Sequence, residues 1–253
     1  MDLFYRIRGE GEPLLLLHGL FGSADNLGGI ARLFEEQYQV ISVDMRNHGR
    51  SPHADGTSYP EMAEDVIRVM DKEGIGEAYV LGHSMGGKAA MQLALSHPER
   101  VKKLVVGDIA PVAYGAHHDS ILKGMQEVEA LGPQSRKGAE EILNAYEDEP
   151  AVLSFLLTNW RRTDEGSWAW RVNLKAIVEG YSDIAAAMQG GPFEKPVLFM
   201  RGGNSDYVQA EHRDTILGLF PQATVRTIEN TGHWLHAEKP DMFARAVVRF
   251  LSS

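Results

Sequence analysis

The chain has 253 residues, of which 43% are hydrophobic, and this is enough for one large core with a single insertion. Lysine and arginine number 25 against 35 aspartates and glutamates, and the net charge of −10 argues against nucleic acid and anionic membranes as partners. Because there is no cysteine, disulfides, thiolate metal sites and cysteine nucleophiles are excluded.

The first residues, Met1 to Glu12, alternate charged and apolar side chains and hold no apolar run long enough for a signal peptide. No later run reaches the roughly 18 apolar residues of a membrane span. We therefore expect a cytoplasmic protein without stable membrane association, whose partner is a small molecule. The sequence leaves its oligomeric state open.

The first half of the chain alternates strand-like and helix-like segments. Leu3 to Arg8 has the period of a half-exposed strand and, with the Gly-Glu-Gly turn after it, predicts an edge hairpin. Buried strands are predicted at Leu14 to Leu17, Val40 to Val43, Ala78 to Leu81 and Leu104 to Val106. Helices are predicted between them, at about Leu27 to Glu36, Tyr59 to Glu73 and Met85 to Ser96. This alternation predicts an α/β protein with a mainly parallel sheet and helices on both faces.

The alternation stops at about Val112 and resumes after Gly191. The residues between, 112–191, read as helices with no convincing strand. Afterwards come a strand at Pro196 to Met200, a helix at Ala210 to Leu219, a strand at Thr224 to Ile228 and a helix at Met242 to Leu251. We predict that 112–191 form a helical cap, inserted before the last two strands over the carboxyl edge of the sheet. Residues 1–111 and 192–253 then form the core.

A GxSxG pattern, Gly82-His83-Ser84-Met85-Gly86, lies between a predicted strand and a predicted helix. The pattern alone also occurs by chance. Its position, however, is the one that a nucleophile elbow requires, because the glycines permit a sharp strand-to-helix turn that exposes the serine hydroxyl. The sequence therefore predicts Ser84 as a nucleophile.

A serine of ordinary pKa needs a histidine base and an orienting carboxylate. In chains with this elbow the histidine comes last, and His233 follows the final predicted strand. We predict His233 as the general base and His236, three residues further, as a structural partner.

The oxyanion of the transition state needs two N–H donors. The backbone of Met85, directly after the nucleophile, is predicted to supply one, and Leu20, in the loop after an early strand, the other. His18 begins that loop and precedes the nucleophile in the chain, so we expect it to fix the loop by hydrogen bonds rather than to act as a base.

Several motifs occur together and in order, as they do in capped α/β-hydrolases: His18-Gly19, the run from Asp44 to Ser51, the elbow motif and Gly232-His233. More narrowly, the chain resembles the YbfF esterases of bacteria at Leu20-Phe21-Gly22-Ser23, Gly87-Lys88-Ala89, Asp108-Ile109-Ala110-Pro111, Gly202-Gly203-Asn204-Ser205 and the run from His236 to Pro240. The resemblance implies an α/β-hydrolase fold with a sheet of the eight-stranded type. It also implies a carboxylesterase that needs no cofactor, with thioesters as alternative substrates.

Two carboxylates compete for the third place in the triad. In most of the superfamily that the chain resembles, the acid lies three residues beyond a glycine after the strand that follows the cap. Counted from Gly202, that place holds Ser205, and Asp206 lies one residue further. Asp108 follows the preceding strand, where the YbfF-like esterases place their acid. We favour Asp108 and expect Asp206 to be an exposed loop or helix-capping carboxylate.

Clefts for apolar ligands are typically lined by aromatic side chains, and Phe21, Trp160 and Trp234 are predicted to contact substrate. Other cap aromatics are expected in the core. His117 and His118 are metal-ligand residue types, but two adjacent histidines do not converge on one helical face. We predict no metal site.

These residues predict a serine carboxylesterase that hydrolyses short- to medium-chain acyl esters through an acyl-enzyme on Ser84. The same triad could serve an acyltransferase, a perhydrolase or a carbon-carbon hydrolase, because fold and triad do not choose the acceptor. A noncatalytic small-ligand receptor would need a broken triad, and here all the parts are present.

Overall fold

The computed structural model describes all 253 residues and contains nine strands. They are β1 (Tyr5–Arg8), β2 (Glu12–Leu17), β3 (Tyr38–Val43), β4 (Ala78–His83), β5 (Val101–Gly107), β6 (Trp160–Arg162), β7 (Trp168–Trp170), β8 (Val197–Gly202) and β9 (Ala223–Ile228). Seven of them form one sheet in the order β1-β3-β2-β4-β5-β8-β9, and only β1 runs antiparallel to its neighbour. The expected α/β-hydrolase fold is confirmed, with seven strands in place of eight.

Eleven helices accompany the strands. They are α1 (Gly28–Phe34), α2 (Tyr59–Lys72), α3 (Met85–Ser96), α4 (Asp119–Leu131), α5 (Arg136–Leu143), α6 (Pro150–Leu157), α7 (Leu174–Glu179), α8 (Tyr181–Ala185), α9 (Arg213–Leu219), α10 (Leu235–Glu238) and α11 (Pro240–Leu251). Helices α1 and α11 share a core with one face of the sheet, and α2 and α3 with the other. None of the helices combines the length and the apolar character needed to cross a bilayer.

The apolar runs of the sequence form the central strands because helices cover both faces of the sheet. All four leucines from Leu14 to Leu17 have no exposed surface. Successive strand residues point to opposite faces, so a strand that alternated apolar and polar side chains would bury polar groups here.

The first strand lies at the edge of the sheet, as expected, but the predicted hairpin is wrong. β1 pairs with β3, from Tyr5 opposite Val43 to Arg8 opposite Val40. Both edges of β2 are occupied by the parallel neighbours β3 and β4. The outer edge of β3 is the position left for β1, so the chain crosses β3 between its first two strands.

The segment between β5 and β8 contains α4 to α8 and also a short hairpin of β6 and β7. The sequence-based expectation of an insertion without strands missed this hairpin. Each of its strands has only three residues, and Trp160 stands opposite Trp170. Such short strands leave no alternating pattern long enough to detect.

Lys88 in α3 connects the two ends of this inserted segment to the core. Its side chain is 1% exposed, and Nζ donates hydrogen bonds to the carbonyl oxygens of Val112 (2.9 Å), Ala185 (3.2 Å) and Ala186 (2.6 Å). Burial lowers the pKa of Lys88 to about 7. The three acceptors engage all three hydrogens of the ammonium form, so this one side chain ties both ends of the insertion to the core.

We expect Lys88→Met to lower the free energy of unfolding by about 3 kcal/mol, because a buried acceptor left without its donor costs about 1–3 kcal/mol. Urea unfolding measures the change. Lys175→Met is the matched control, since its side chain is 80% exposed and a surface substitution usually changes stability by less than about 0.5 kcal/mol. Equal stability of the two variants would contradict the anchoring role of Lys88.

Candidate active site

The predicted site residues follow different strands but lie at one edge of the sheet. Ser84 follows β4, Asp108 follows β5 and His233 comes after β9. Because these strands are parallel, their carboxyl ends meet at the same edge, where open α/β sheets bind ligands. Ser84 and His233 line the same cavity there.

Ser84 occupies a sharp turn between β4 and α3. Its backbone has φ 55° and ψ −120°, a conformation that a residue with a side chain rarely adopts. A Cβ atom on Gly82 would collide with the carbonyl of Gly86, and one on Gly86 would collide with the carbonyl of Leu17. The two glycines of the motif are therefore required by the close approach of three backbone segments. The serine hydroxyl makes no hydrogen bond within the protein, and the half-buried side chain faces cavities.

Asp108 is fully buried and lies against the imidazole of His233. The Nδ1 atom of His233 is 2.7 Å from Oδ2 of Asp108. Since a carboxylate accepts hydrogen bonds, Nδ1 is assigned as the donor, and Nε2 is then free to accept a proton. The backbone N–H of Gly202 donates to Oδ1 of the same carboxylate at 2.9 Å.

Asp206, the competing carboxylate, is exposed, and its Oδ1 accepts a hydrogen bond from Gln209 Nε2 at 3.1 Å. Asp206 makes no hydrogen bond or ion pair with His233, whose carboxylate partner is Asp108. Ser205, at the place where the superfamily usually has its acid, donates its hydroxyl hydrogen to Oδ2 of Asp108. Sequence reasoning singled out the position of Ser205 but did not predict its hydrogen bond to Asp108. The signal was a small hydroxyl residue where a carboxylate was expected.

A second histidine supports the loop that carries His233. His83 is buried, and its Nε2 donates to the backbone carbonyl of His233 at 2.8 Å. Its ring lies 4.7 Å from the ring of His233 and 4.3 Å from that of His236. Burial lowers the pKa of His83 well below its usual value and that of His236 to about 4. Both rings are neutral at ordinary pH, so His83 holds the loop and His236 packs against His83 without adding charge beside His233.

The predicted oxyanion donors lie in the wall of one cavity, together with Ser84. The N–H of Leu20 has no acceptor within the protein, and that of Met85 is in the first turn of α3, where N–H groups lack intrahelical partners. His18 holds the loop of Leu20: its Nδ1 donates to Gly19 O at 2.8 Å, and its Nε2 accepts from Met45 N at 2.9 Å. Burial lowers the pKa of His18 to about 4, so this histidine is neutral.

Two cavities meet at Ser84. We call the first the small pocket; it has a volume of about 40 Å³ and is lined by Tyr59, Lys88, Tyr114, Tyr181 and Ile184 in addition to Leu20 and Met85. The second, the large groove, has a volume of about 640 Å³ and is lined by Phe21, Ile121, Val152, Phe155, His233 and Trp234 among others. Two of the three aromatic residues predicted to contact substrate, Phe21 and Trp234, thus face the groove.

Trp160, the third, lines neither cavity. It is 1% exposed, packs at 5.0 Å from the ring of Trp170 and donates from Nε1 to the carbonyl of Pro133 at 3.2 Å. The expectation that Trp160 contacts substrate is therefore wrong. Trp160 begins the hairpin, and its side chain points into the core of the insertion. The sequence alone does not show the direction in which a tryptophan side chain points.

Tyr207 was missed by sequence reasoning. Its ring stacks on that of His233 at 4.2 Å, with an angle of 28° between the planes, and it lines both cavities. A tyrosine face beside an imidazole favours the protonated ring through its quadrupole. Tyr207 can therefore stabilise the imidazolium that forms when His233 takes a proton.

His117 and His118 both line the cavities. The Nδ1 atom of His118 is 2.7 Å from the hydroxyl of Tyr181, and burial lowers the pKa of His118 to about 4. No group of three or more histidines, aspartates or glutamates is arranged to hold a metal ion.

Comparison with known proteins gives concordant results. A family model described as the α/β-hydrolase fold matches residues 12–129. The chain is 42% identical to the esterase YbfF of Escherichia coli, over 96% of this chain and 94% of that protein. It is 40% identical to the mouse sn-1-specific diacylglycerol lipase ABHD11, over 94% of this chain and 80% of that one. Among solved structures, a marine microorganism esterase is 39% identical and superimposes with a TM-score of 0.96 over 98% of this chain and 99% of its own.

The two carboxylates can be distinguished by substitution. Asp108→Asn should lower kcat by about 10⁴, because the amide favours the wrong imidazole tautomer and removes the charge that stabilises the imidazolium. KM should change little, since the lost interaction belongs to the transition state. Asp206→Asn is the matched control and should leave kcat within about twofold, as expected for a surface position. Steady-state kinetics on folded variants provide the test, and a severe loss at Asp206 alone would contradict the assignment.

Proposed function

The chain belongs to the α/β-hydrolase family and is a carboxylic ester hydrolase, and we propose that it works as a serine carboxylesterase through an acyl-enzyme on Ser84. The observation that carries the proposal is the hydrogen bond from Nδ1 of His233 to the buried carboxylate of Asp108. His233 and Ser84 line the same cavity. Relatives named as esterases support the reaction class.

In the first half of the reaction, Ser84 attacks the ester carbonyl while Nε2 of His233 takes the hydroxyl proton. The bond from Nδ1 to Asp108 keeps Nε2 unprotonated beforehand and stabilises the imidazolium afterwards. Negative charge develops on the carbonyl oxygen, where the N–H groups of Leu20 and Met85 act as donors. The start of α3 at Met85 adds a favourable field, because a helix N-terminus carries partial positive charge.

Collapse of the tetrahedral intermediate breaks the bond to the alcohol oxygen, and His233 gives its proton to the leaving alcohol. Water then enters and repeats the cycle: His233 takes a proton from water, hydroxide adds to the acyl carbon, and Ser84 leaves with the proton returned. No cofactor takes part in this sequence of steps.

The inserted segment, residues 112–191, is proposed to act as a cap. It contributes Tyr181 and Ile184 to the small pocket, and Ile121 and Phe155 to the large groove. Both cavities are thus closed on one side by the sheet edge and on the other by the insertion. The apolar side chains in these walls suit uncharged acyl esters of short to medium length.

Ser84→Ala should reduce the hydrolysis of p-nitrophenyl butyrate to a low residual rate. That rate can still exceed the uncatalysed rate by about 10³- to 10⁴-fold, because the oxyanion donors and substrate binding remain. An organophosphate should label Ser84 of the unmodified protein, as mass spectrometry of its peptide would record. Ser96→Ala, at an exposed serine at the end of α3, is the control and should retain both activity and labelling. Full activity in Ser84→Ala would overturn the proposal.

On the acid side of the pH profile, activity should increase with pH, because only the neutral imidazole of His233 can accept the serine proton. Burial lowers the pKa of His18, His118 and His236 to about 4. A lowered pKa means that these rings gain charge only as pH falls towards 4, so they add no limb above pH 5.

A profile of kcat/KM from pH 5 to 9, with rates measured by pH-stat titration, tests this expectation. The limb should keep its midpoint in His118→Gln and disappear from the residual activity of His233→Gln. Persistence of the limb in His233→Gln would identify another base.

A further inference from the structure

The two cavities that meet at Ser84 differ in one residue that matters for the chemistry. His233 lines the large groove and is absent from the wall of the small pocket. Leu20 lies in both walls, whereas Met85 belongs to the small pocket alone. An ester bound at Ser84 extends in two directions from its carbonyl, so each cavity can take one half of the substrate.

The proton that His233 donates determines which cavity binds the alcohol half of the ester and which binds the acyl half. In the proposed mechanism, on which this step rests, His233 protonates the oxygen of the leaving alcohol, and a general acid must lie within hydrogen-bond reach of that oxygen. The alcohol therefore lies in the cavity that His233 lines. We infer that the large groove binds the alcohol, that the small pocket binds the acyl chain, and that the substrates are short acyl esters of bulky alcohols without negative charge.

The volume of the small pocket sets the acyl length. Its 40 Å³ is room for about three water molecules, at roughly 10–15 Å³ for each, and hence for an acyl chain of about two to four carbons. The pocket cannot extend easily, because Tyr59 is 3% and Lys88 is 1% exposed and both are held by hydrogen bonds. The groove, at about 640 Å³, is far larger.

The charges of the large groove restrict the alcohol. Glu147, Glu149 and Glu238 lie in its wall, and no lysine or arginine does. A leaving group that carries phosphate or sulfonate would meet these carboxylates with no cation to offset them. The groove therefore favours neutral or cationic alcohols and disfavours thioesters whose thiol bears phosphates.

The acyl half can be tested with p-nitrophenyl esters from acetate to octanoate. We expect kcat/KM to be highest for acyl chains of two to four carbons and to fall about tenfold or more by octanoate, because even one methylene that does not fit a pocket costs about that much.

The alcohol half can be tested with acetates of 2-naphthol and of a naphtholsulfonate of the same ring size. The neutral ester should react faster, and added salt should narrow the difference.

Two isoleucine variants provide a matched pair. Ile184 lines only the small pocket and Ile121 only the large groove. Ile184→Ala should move the acyl optimum to longer chains by about two carbons, and Ile184→Phe should restrict it to acetate. Ile121→Ala removes the same atoms from the groove and should change the preference among naphthyl and larger alcohols while leaving the acyl optimum in place.

The inference is overturned if the unmodified protein hydrolyses octanoate as well as butyrate, a result that needs no variant to fold. It is equally overturned if Ile121→Ala, and not Ile184→Ala, moves the acyl optimum, since the acyl chain would then lie in the groove. Failure of the proposed function has a different signature, namely no turnover of any ester or full activity in Ser84→Ala.

Discussion

The carboxylate of Asp108 has no exposed surface and accepts hydrogen bonds from three separate parts of the chain. Gly202 at the end of β8, Ser205 in the following loop and His233 after β9 all donate to it. Since the carboxylate itself follows β5, these bonds join three successive loops at the carboxyl edge of the sheet. A buried charge is costly unless it is fully hydrogen-bonded, and the three donors meet that requirement. Asp108 thus fixes the geometry of the loops as well as the tautomer of the histidine.

The other histidines show how burial divides chemical from structural roles. His18, His83 and His236 are buried, and burial lowers the pKa of each. A neutral imidazole can donate from one nitrogen and accept at the other, and His18 does both between Gly19 and Met45. Only His233, whose side chain is 25% exposed, combines a carboxylate partner with access to a cavity. The buried, neutral rings thereby surround His233, the proposed base, without competing with it for a proton.

The sequence predicted the parts of this site that local pattern determines. The elbow was predictable because the tight turn at Ser84 leaves no room for a Cβ atom on Gly82 or Gly86. The strands that helices cover on both faces were predictable from their continuous apolar runs. The pairing of the strands was not predictable, because the partner of β1 depends on which edges of the sheet the other strands leave free. Nor was the orientation of Trp160, since a tryptophan in a core and one in a cleft have the same local sequence. The roles of Ser205 and Tyr207 depend on loops that meet only in the folded chain.

The acceptor of the acyl group is decided outside the triad. In the proposed mechanism, the groove of about 640 Å³ is vacant once the alcohol has left, and whatever enters it meets His233. A second alcohol there would give transfer, and water gives hydrolysis, through identical steps at Ser84. The balance depends on how strongly the groove holds an alcohol compared with water. Because glutamates and histidines share its wall with the apolar side chains, the groove is readily wetted. In the proposed mechanism, water therefore reaches the acyl-enzyme easily, which favours hydrolysis over transfer.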